Sequence, residues 1–298
     1  MEELEKYCQE LFVPDVLEVS PFRAYRDRAK LDVVDPTELA LPYDSLYSDS
    51  LPIGWTWIND LVTERRVALP SSLLVSGREK NDILFSARRG RKLFSSNGLA
   101  GSFSLTEAIL HALCEKIERH AVKLAEQEIS NPGRVVGANQ PEFTFVDLAT
   151  GSERTMRLVD AVREAGFEIR ALDITSEVRV PTFVVRIMRT NRLHGLEDLY
   201  ASGSCAHTNA ELALNRAILE AVQTRVTSIS GAREDLGVKA RSLGRHERPR
   251  PLSKGDAFWI RPHVPKKPFA TVVDCKASSA REALEFAVRR VTEAGFKH

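Results

Sequence analysis

Glu107, His111, Glu115 and Glu118 follow one another at i, i+4, i+8 and i+11. On a helix these positions fall within an arc of roughly 80°, while Ile109, Leu110, Leu113 and Ile117 take the other side. Carboxylates aligned at such spacings without interleaved lysines repel by about a few tenths of a kcal/mol per pair. A hard cation such as Mg2+, shared with substrate phosphates, would offset that repulsion. A solvated acidic face partly neutralised by Lys116 and Arg119 is the other reading. A second set, Arg216, Glu220, Gln223 and Thr227, runs at i, i+4, i+7 and i+11 among Leu212, Leu214, Ala217, Ile218, Leu219, Ala221, Val222 and Val226. A helix that apolar is expected to be buried, and a polar stripe on it needs partners. Arg216 and Glu220 can pair with each other; alternatively Arg216 meets a phosphate bidentately while Glu220 holds a metal. Glu2, Glu5 and Gln9 form a third, smaller set on one helical face.

The elements that must carry these sets can be read from periodicity. Residues 2–12 predict a helix that starts with no room for a capping residue. Residues 20–51, with prolines at 21, 36 and 42, read as loops with short helical pieces. Two β-favouring runs between Trp55 and Pro70 predict a hairpin. A long amphipathic helix is expected from about Ser104 to Glu126, then a strand at 143–148, a helix at 156–165, and strands at 167–174 and 180–189. The small residues 201–206 read as a turn before the second long helix, 209–228. Residues 239–268 carry five prolines and nine Lys/Arg against Glu247 and Asp256, and read as an irregular basic loop. A strand at 270–275 and a helix at 279–294 close the pattern. The alternation predicts an α+β or α/β fold, with mixed sheets packed against long helices.

Glu164-Ala-Gly-Phe167 ends a helix with Gly as its C-cap and runs straight into a strand; Glu293-Ala-Gly-Phe296 repeats the four letters two residues from the end. With the uncapped first helix, this reads as a domain cut at both ends.

Composition narrows the function classes. The 298 residues hold 42 Lys+Arg and 41 Asp+Glu, a formal net charge of +1, so no polyanion-binding surface dominates. Nucleic-acid binding would rest on 239–268 alone, where Phe258 and Trp259 are the interleaved aromatics. No apolar run approaches the roughly 18 residues of a membrane span, and the acidic start is unlike a secretory signal, so a cytoplasmic protein is expected. The four cysteines are far apart, which argues against zinc or a disulfide framework. Cys205 and His207 could be paired as nucleophile and base; two residues apart and with no third member, they read better as part of a structural turn.

The run SNGLAGSFSLTEAILHALCEKIERHA (96–121) resembles the central signature of the YcaO family, SGSCAHTNAELALNRAILEAVQTRVTSISGAREDL (202–236) its second, and MEELEKY its first E-x-x-E helix. The resemblance covers essentially the whole chain, as one YcaO domain over 1–298 incomplete at both ends. It implies an ATP- and Mg2+-dependent enzyme that phosphorylates a backbone amide oxygen of a peptide or protein, after which a nucleophile gives an azoline, a thioamide or an amidine. Carried over, Glu2, Glu5, Glu107, Glu115 and Glu118 are the Mg2+ ligands. Arg119, Arg216, Glu220 and Gln223 contact ATP, with Arg225 completing the Q-x-R that follows. No P-loop is present.

The implied partners are a precursor peptide and a TfuA-like or peptide-recognition protein, since GLAGSFSLTEA and SGAREDL look most like the TfuA-associated branch; a homodimer is left open. Three departures from the family pattern favour an alternative, a degenerate homologue that is inactive or a scaffold. The Lys-Gly and Ser positions upstream of the first acid are absent, Ser102-Phe103 stands where Gly-Asn is usual, and the C-terminal strand and proline-rich tail are absent.

Overall fold

The computed structural model describes residues 18–30, 32–39, 41, 45–74, 97–131, 143–189, 200–230, 254–261 and 264–296. It divides into two compact units, Met1–Ser104 with Gly295–His298, and Leu105–Ala294. The helix expected at 2–12, with Glu2 and Glu5, lies outside the described residues.

The first unit holds β1 (Glu18–Pro21), α1 (Phe22–Arg28), β2 (Asp32–Val33), β3 (Pro52–Asn59) and β4 (Arg66–Pro70). They form a four-stranded sheet in the order β1-β3-β4-β2, in which only the β2–β4 pair is parallel. The expected hairpin is present as β3 and β4. Its turn is set by Asp60, whose carboxylate accepts the amides of Val62 and Thr63 at 3.0 and 2.6 Å. Trp55 anchors the core: Tyr25 stacks on it at 4.7 Å, and its indole N–H donates to the Ser20 carbonyl at 3.0 Å. The region read at 20–51 as loops with short helical pieces contains one such helix, held because Phe22 and Tyr25 on α1 reach back to Trp55, and, beyond that reading, the end of β1 and all of β2.

The second unit is a five-stranded mixed sheet, β8-β7-β6-β5-β9. Its strands are β5 (Thr144–Asp147), β6 (Phe167–Asp173), β7 (Thr182–Arg189), β8 (Tyr200–Ala206) and β9 (Lys266–Pro268). Four long helices accompany it: α2 (Leu105–Ser130), α3 (Glu153–Glu164), α4 (Ala210–Ser230) and, at the end, α6 (Ala280–Glu293), with the short α5 (Lys254–Trp259) between. Alternate residues of the strands serve opposite faces. Ile169, Ala171, Phe183 and Val185 pack on α3 and α4. Leu172, Ile174 and Phe145 pack on Ala121 and Ala125 of α2 and on Trp259. The architecture is thus α+β with mixed sheets, as expected.

Helix ends follow local chemistry. Ser152 accepts the Thr155 amide and Ser279 the Glu282 amide, each at 3.2 Å. After α3 and α6 the chain turns at Gly166 and Gly295 with φ of +83° and +87°, so both copies of the Glu-Ala-Gly-Phe motif end a helix as the sequence indicates.

Three elements differ from expectation. Residues 201–206 are a strand, paired antiparallel with β7 from Ala201↔Ile187 to Ala206↔Thr182. Their small side chains serve helix packing: a Cβ on Gly203 would lie 2.3 Å from the Ala221 amide nitrogen and 2.4 Å from the Ala217 carbonyl oxygen. Only glycine lets α4 lie this close to β8. Residues 270–275 form no strand; a 3-10 turn spans Phe269–Thr271. The segment instead holds the start of α4, with Asp274 accepting the Ala210 amide at 2.8 Å and the Cys275 amide reaching the Thr208 carbonyl at 2.9 Å. The loop read at 239–268 contains α5 and β9 within its described part. Phe258 and Trp259 fold against Phe145, and Lys267 pairs with buried Asp173 at 2.7 Å.

Candidate functional site

In the second unit the acidic residues of α2 and α4 meet at strand β8. Helix α2 buries Leu110, Cys114, Ile117, Ala121 and Ala125, and the same turn that buries Ile117 and Ala121 carries Glu118 inward to 8% exposure. Helix α4 is held on β8 through Gly203, which brings Glu220 alongside. Both carboxylates reach one residue. The Ser204 hydroxyl donates to Glu118 Oε1 at 2.7 Å, and the Ser204 amide donates to Glu220 Oε2 at 2.7 Å.

Burial pushes the Glu118 carboxyl up to about 7; the Ser204 hydroxyl and Arg119 pull it back down, while Glu220 and Glu115 push it higher. Arg119 stands 3.6 Å from Glu118 and 3.6 Å from Glu115. A buried acid beside two more acids, with half-exposed Arg119 as its near counter-charge, is what a bound cation would relieve.

Of the residues read from sequence, Glu115, Glu118, Arg119 and Glu220 are brought together. Glu220 Oε2 accepts the strand amide of Ser204. Arg216 is exposed, and its charge acts on Cys114, Cys205 and His207. The polar stripe of α4 is therefore only partly buried: Arg216 and Gln223 face solvent while Ala213, Leu214, Ala217, Ile218 and Ala221 form the buried face.

Glu107 and His111 are exposed on the first turns of α2. At the helical rise Glu107 is about 16 Å along the axis from Glu118, too far for one Mg2+ ion to join them. Among the described residues no three His, Cys, Asp or Glu side chains stand together as a complete metal-binding group. Arg225 lies 5.9 Å from the Phe167 ring. Phe103, standing where the family pattern has Asn, is fully exposed.

Ser204 was not singled out from sequence. Its role depends on β8 being a strand, and a run of Ala, Ser, Gly and Cys carries no β-propensity signal. The alternation Ser202, Gly203, Ser204, which puts the two serines on one face and the glycine on the other, just before an apolar helix was the available cue.

Cys205 and His207 are structural. Cys205 lies in β8 opposite Phe183, and burial pushes its thiol up to about 12, which disfavours its thiolate near neutrality. Burial, and then Arg216, push His207 down to about 4 from 6.5, and its Nδ1 accepts the Asn209 amide at 3.0 Å. The folded value lies below the unfolded one, so protonation favours unfolding. This contribution to stability is complete above about pH 6.5 and is lost as the pH falls toward about 4. Between about pH 7.5 and about pH 5, the wild type is expected to lose about 1–2 kcal/mol more stability than His207→Asn, whose side chain can still accept the Asn209 amide. Urea unfolding at both pH values checks this, and parallel losses would contradict it.

The family model for YcaO cyclodehydratase, described as ATP- and Mg2+-binding, matches residues 1–298. An uncharacterised protein in the tfuA 3' region of Rhizobium leguminosarum bv. trifolii is 28% identical over 239 residues, 79% of this chain and 53% of that protein. Two solved structures share the fold. The heterocyclase TruD has a TM-score of 0.71 at 18% identity, covering 99% of this chain and 41% of its own. YcaO from Methanopyrus kandleri, bound with AMPPCP and Mg2+, has a TM-score of 0.64 at 18% identity, covering 99% of this chain and 66% of its own. The chain thus spans about half the length of the Rhizobium relative and two fifths of TruD.

Proposed function

This chain belongs to the YcaO family, an ATP- and Mg2+-binding family, and from that premise we propose that it activates a backbone amide of a peptide for ring closure or sulfur insertion. The observation that carries the reading is the convergence of Glu118 and Glu220, from separate helices, on Ser204, with Arg119 beside them. The donor set fits the cofactors: carboxylate oxygens suit Mg2+, and two arginines suit phosphates.

Glu118 and Glu220, which share Ser204, would hold Mg2+ with phosphate oxygens completing its shell, Glu115 would add charge beside Arg119, Glu107 would serve a separate position, and the family resemblance adds Glu2 and Glu5 as further ligands. Arg119 and Arg216 would meet phosphate oxygens, and Gln223 lies one turn beyond Glu220. When bound, ATP with Mg2+ supplies a phosphoryl group that turns the amide oxygen into a leaving group. The chain's own part is to place fixed charges where negative charge gathers, which suits carboxylates and arginines better than a nucleophilic triad.

Two outcomes differ by their atoms. Attack by a Cys, Ser or Thr side chain of the peptide gives an azoline with net loss of one water, and attack by a sulfur donor replaces oxygen by sulfur in a thioamide. The relative encoded in the tfuA region favours the second, with a TfuA-like protein as partner. A binding-only role is favoured by one feature, Phe103, which can neither ligate a metal nor accept a hydrogen bond.

The test is ATP consumption by the chain, with candidate precursor peptides and a TfuA-like protein added, read together with peptide mass. Peptide-dependent phosphate release with loss of water or exchange of oxygen for sulfur is expected. No turnover at saturating ATP and Mg2+ would favour the binding-only role. No helix among the described residues is long and apolar enough to cross a membrane.

A further inference from the structure

We infer that Ser204 is a positioning residue that sets the two carboxylates of the cation site against each other; this rests on the reading of that site as one for Mg2+ and ATP. Strand β8 is an edge of the five-stranded sheet, so alternate amides point away from β7 and need a partner outside the sheet. At Ser204 that partner is Glu220 Oε2 at 2.7 Å. The hydroxyl of the same residue holds Glu118 Oε1 at 2.7 Å. One residue therefore grips an acid from α2 with its side chain and an acid from α4 with its backbone. Each carboxylate retains a second oxygen that these two bonds do not use.

The two donors do different work. The amide bond to Glu220 survives any substitution that keeps the strand, so it is fixed by the fold. The hydroxyl bond to Glu118 depends on the side chain. Without it, Glu118 would be left buried beside Glu220 and Glu115 with Arg119 at 3.6 Å as its near counter-charge, and its carboxylate would be free to turn away from the neighbouring acid. Outer partners that orient ligating carboxylates typically change metal affinity by about 10–100-fold when removed. Ser202, on the same strand, provides a matched control, because its hydroxyl is buried without a hydrogen-bond partner among the described residues.

The experiment is calorimetric titration of the non-hydrolysable analogue AMPPCP into the full chain across a range of Mg2+ concentrations. Ser204→Ala is expected to raise the Mg2+ concentration for half-maximal nucleotide affinity about 10-fold. Its affinity for the analogue in EDTA is expected to stay at the wild-type value. Ser204→Thr keeps the hydroxyl and should restore the wild-type Mg2+ requirement; Ser202→Ala should leave it unchanged. Ser204→Cys, a near-isostere with a weak donor, should shift it in the same direction as alanine and carries the test if the alanine variant does not fold. A wild-type Mg2+ requirement in the alanine or cysteine variant overturns the role of Ser204 while leaving the Mg2+ site standing. Nucleotide binding by the wild type that ignores Mg2+ overturns both.

Discussion

Glu118→Gln is expected to lower Mg2+-dependent ATP turnover by about 100-fold or more while leaving the fold intact. The amide keeps the shape of the side chain and still presents an oxygen to the Ser204 hydroxyl, which now lies 2.7 Å from Oε1. What it removes is the charge. That charge is buried at 8% exposure and lies close enough to Glu220 and Glu115 for both to raise its pKa. Its loss relieves repulsion and costs only the attraction of half-exposed Arg119, worth about 0–1 kcal/mol. Unfolding free energy should therefore stay within about 1 kcal/mol of wild type or rise. A neutral amide is a poor ligand for a hard divalent cation, so activity and stability should move independently. Steady-state phosphate release and urea unfolding of the same preparation check this; turnover within about tenfold of wild type would remove Glu118 from the site.

Gly203→Ala is expected to do the opposite, lowering stability and activity together. The added Cβ would sit 2.3 Å from the Ala221 nitrogen, 2.4 Å from the Ala217 oxygen and 2.8 Å from the Glu220 carbonyl carbon. All three are backbone atoms of α4, so no rotamer change makes room. The helix must move away from β8, and that movement pulls Glu220 from the Ser204 amide. Overpacking against a rigid neighbour costs about 3 kcal/mol or more, a fall in Tm of about 10 °C for a unit of this size. Thermal unfolding by circular dichroism reads it. A variant as stable as wild type would show that β8 and α4 are not in backbone contact.

The helices that carry the acids were legible because each repeats a one-sided pattern over many turns. Spacing alone put Glu115 and Glu118 on one face of α2, and Arg216 and Glu220 on one face of α4. What spacing could not show is which of these residues share a centre. Glu107 belongs to the same face as Glu118 but lies three turns away, whereas Glu220 meets Glu118 only because both pack against β8. That strand was read as a turn: its small residues lack a packing signature of their own and make sense only once α4 is laid against Gly203. The segment 270–275 misled in the other direction. Its apolar core, Thr-Val-Val, looks like a strand, but Asp274 and Cys275 are committed to the first turn of α4. The division into two units likewise had no sequence signal, since the junction falls within a continuous loop-to-helix motif at Ser104.

The most direct measurement is calorimetric titration of AMPPCP into the wild-type chain with Mg2+ and again in EDTA, repeated with Glu118→Gln. Saturable binding with Mg2+ is expected, weakened about 10-fold or more by EDTA and to a similar degree by the substitution. Absence of binding with Mg2+ present, or binding of equal strength in all three titrations, would contradict a Mg2+ and nucleotide site built on Glu118 and Glu220.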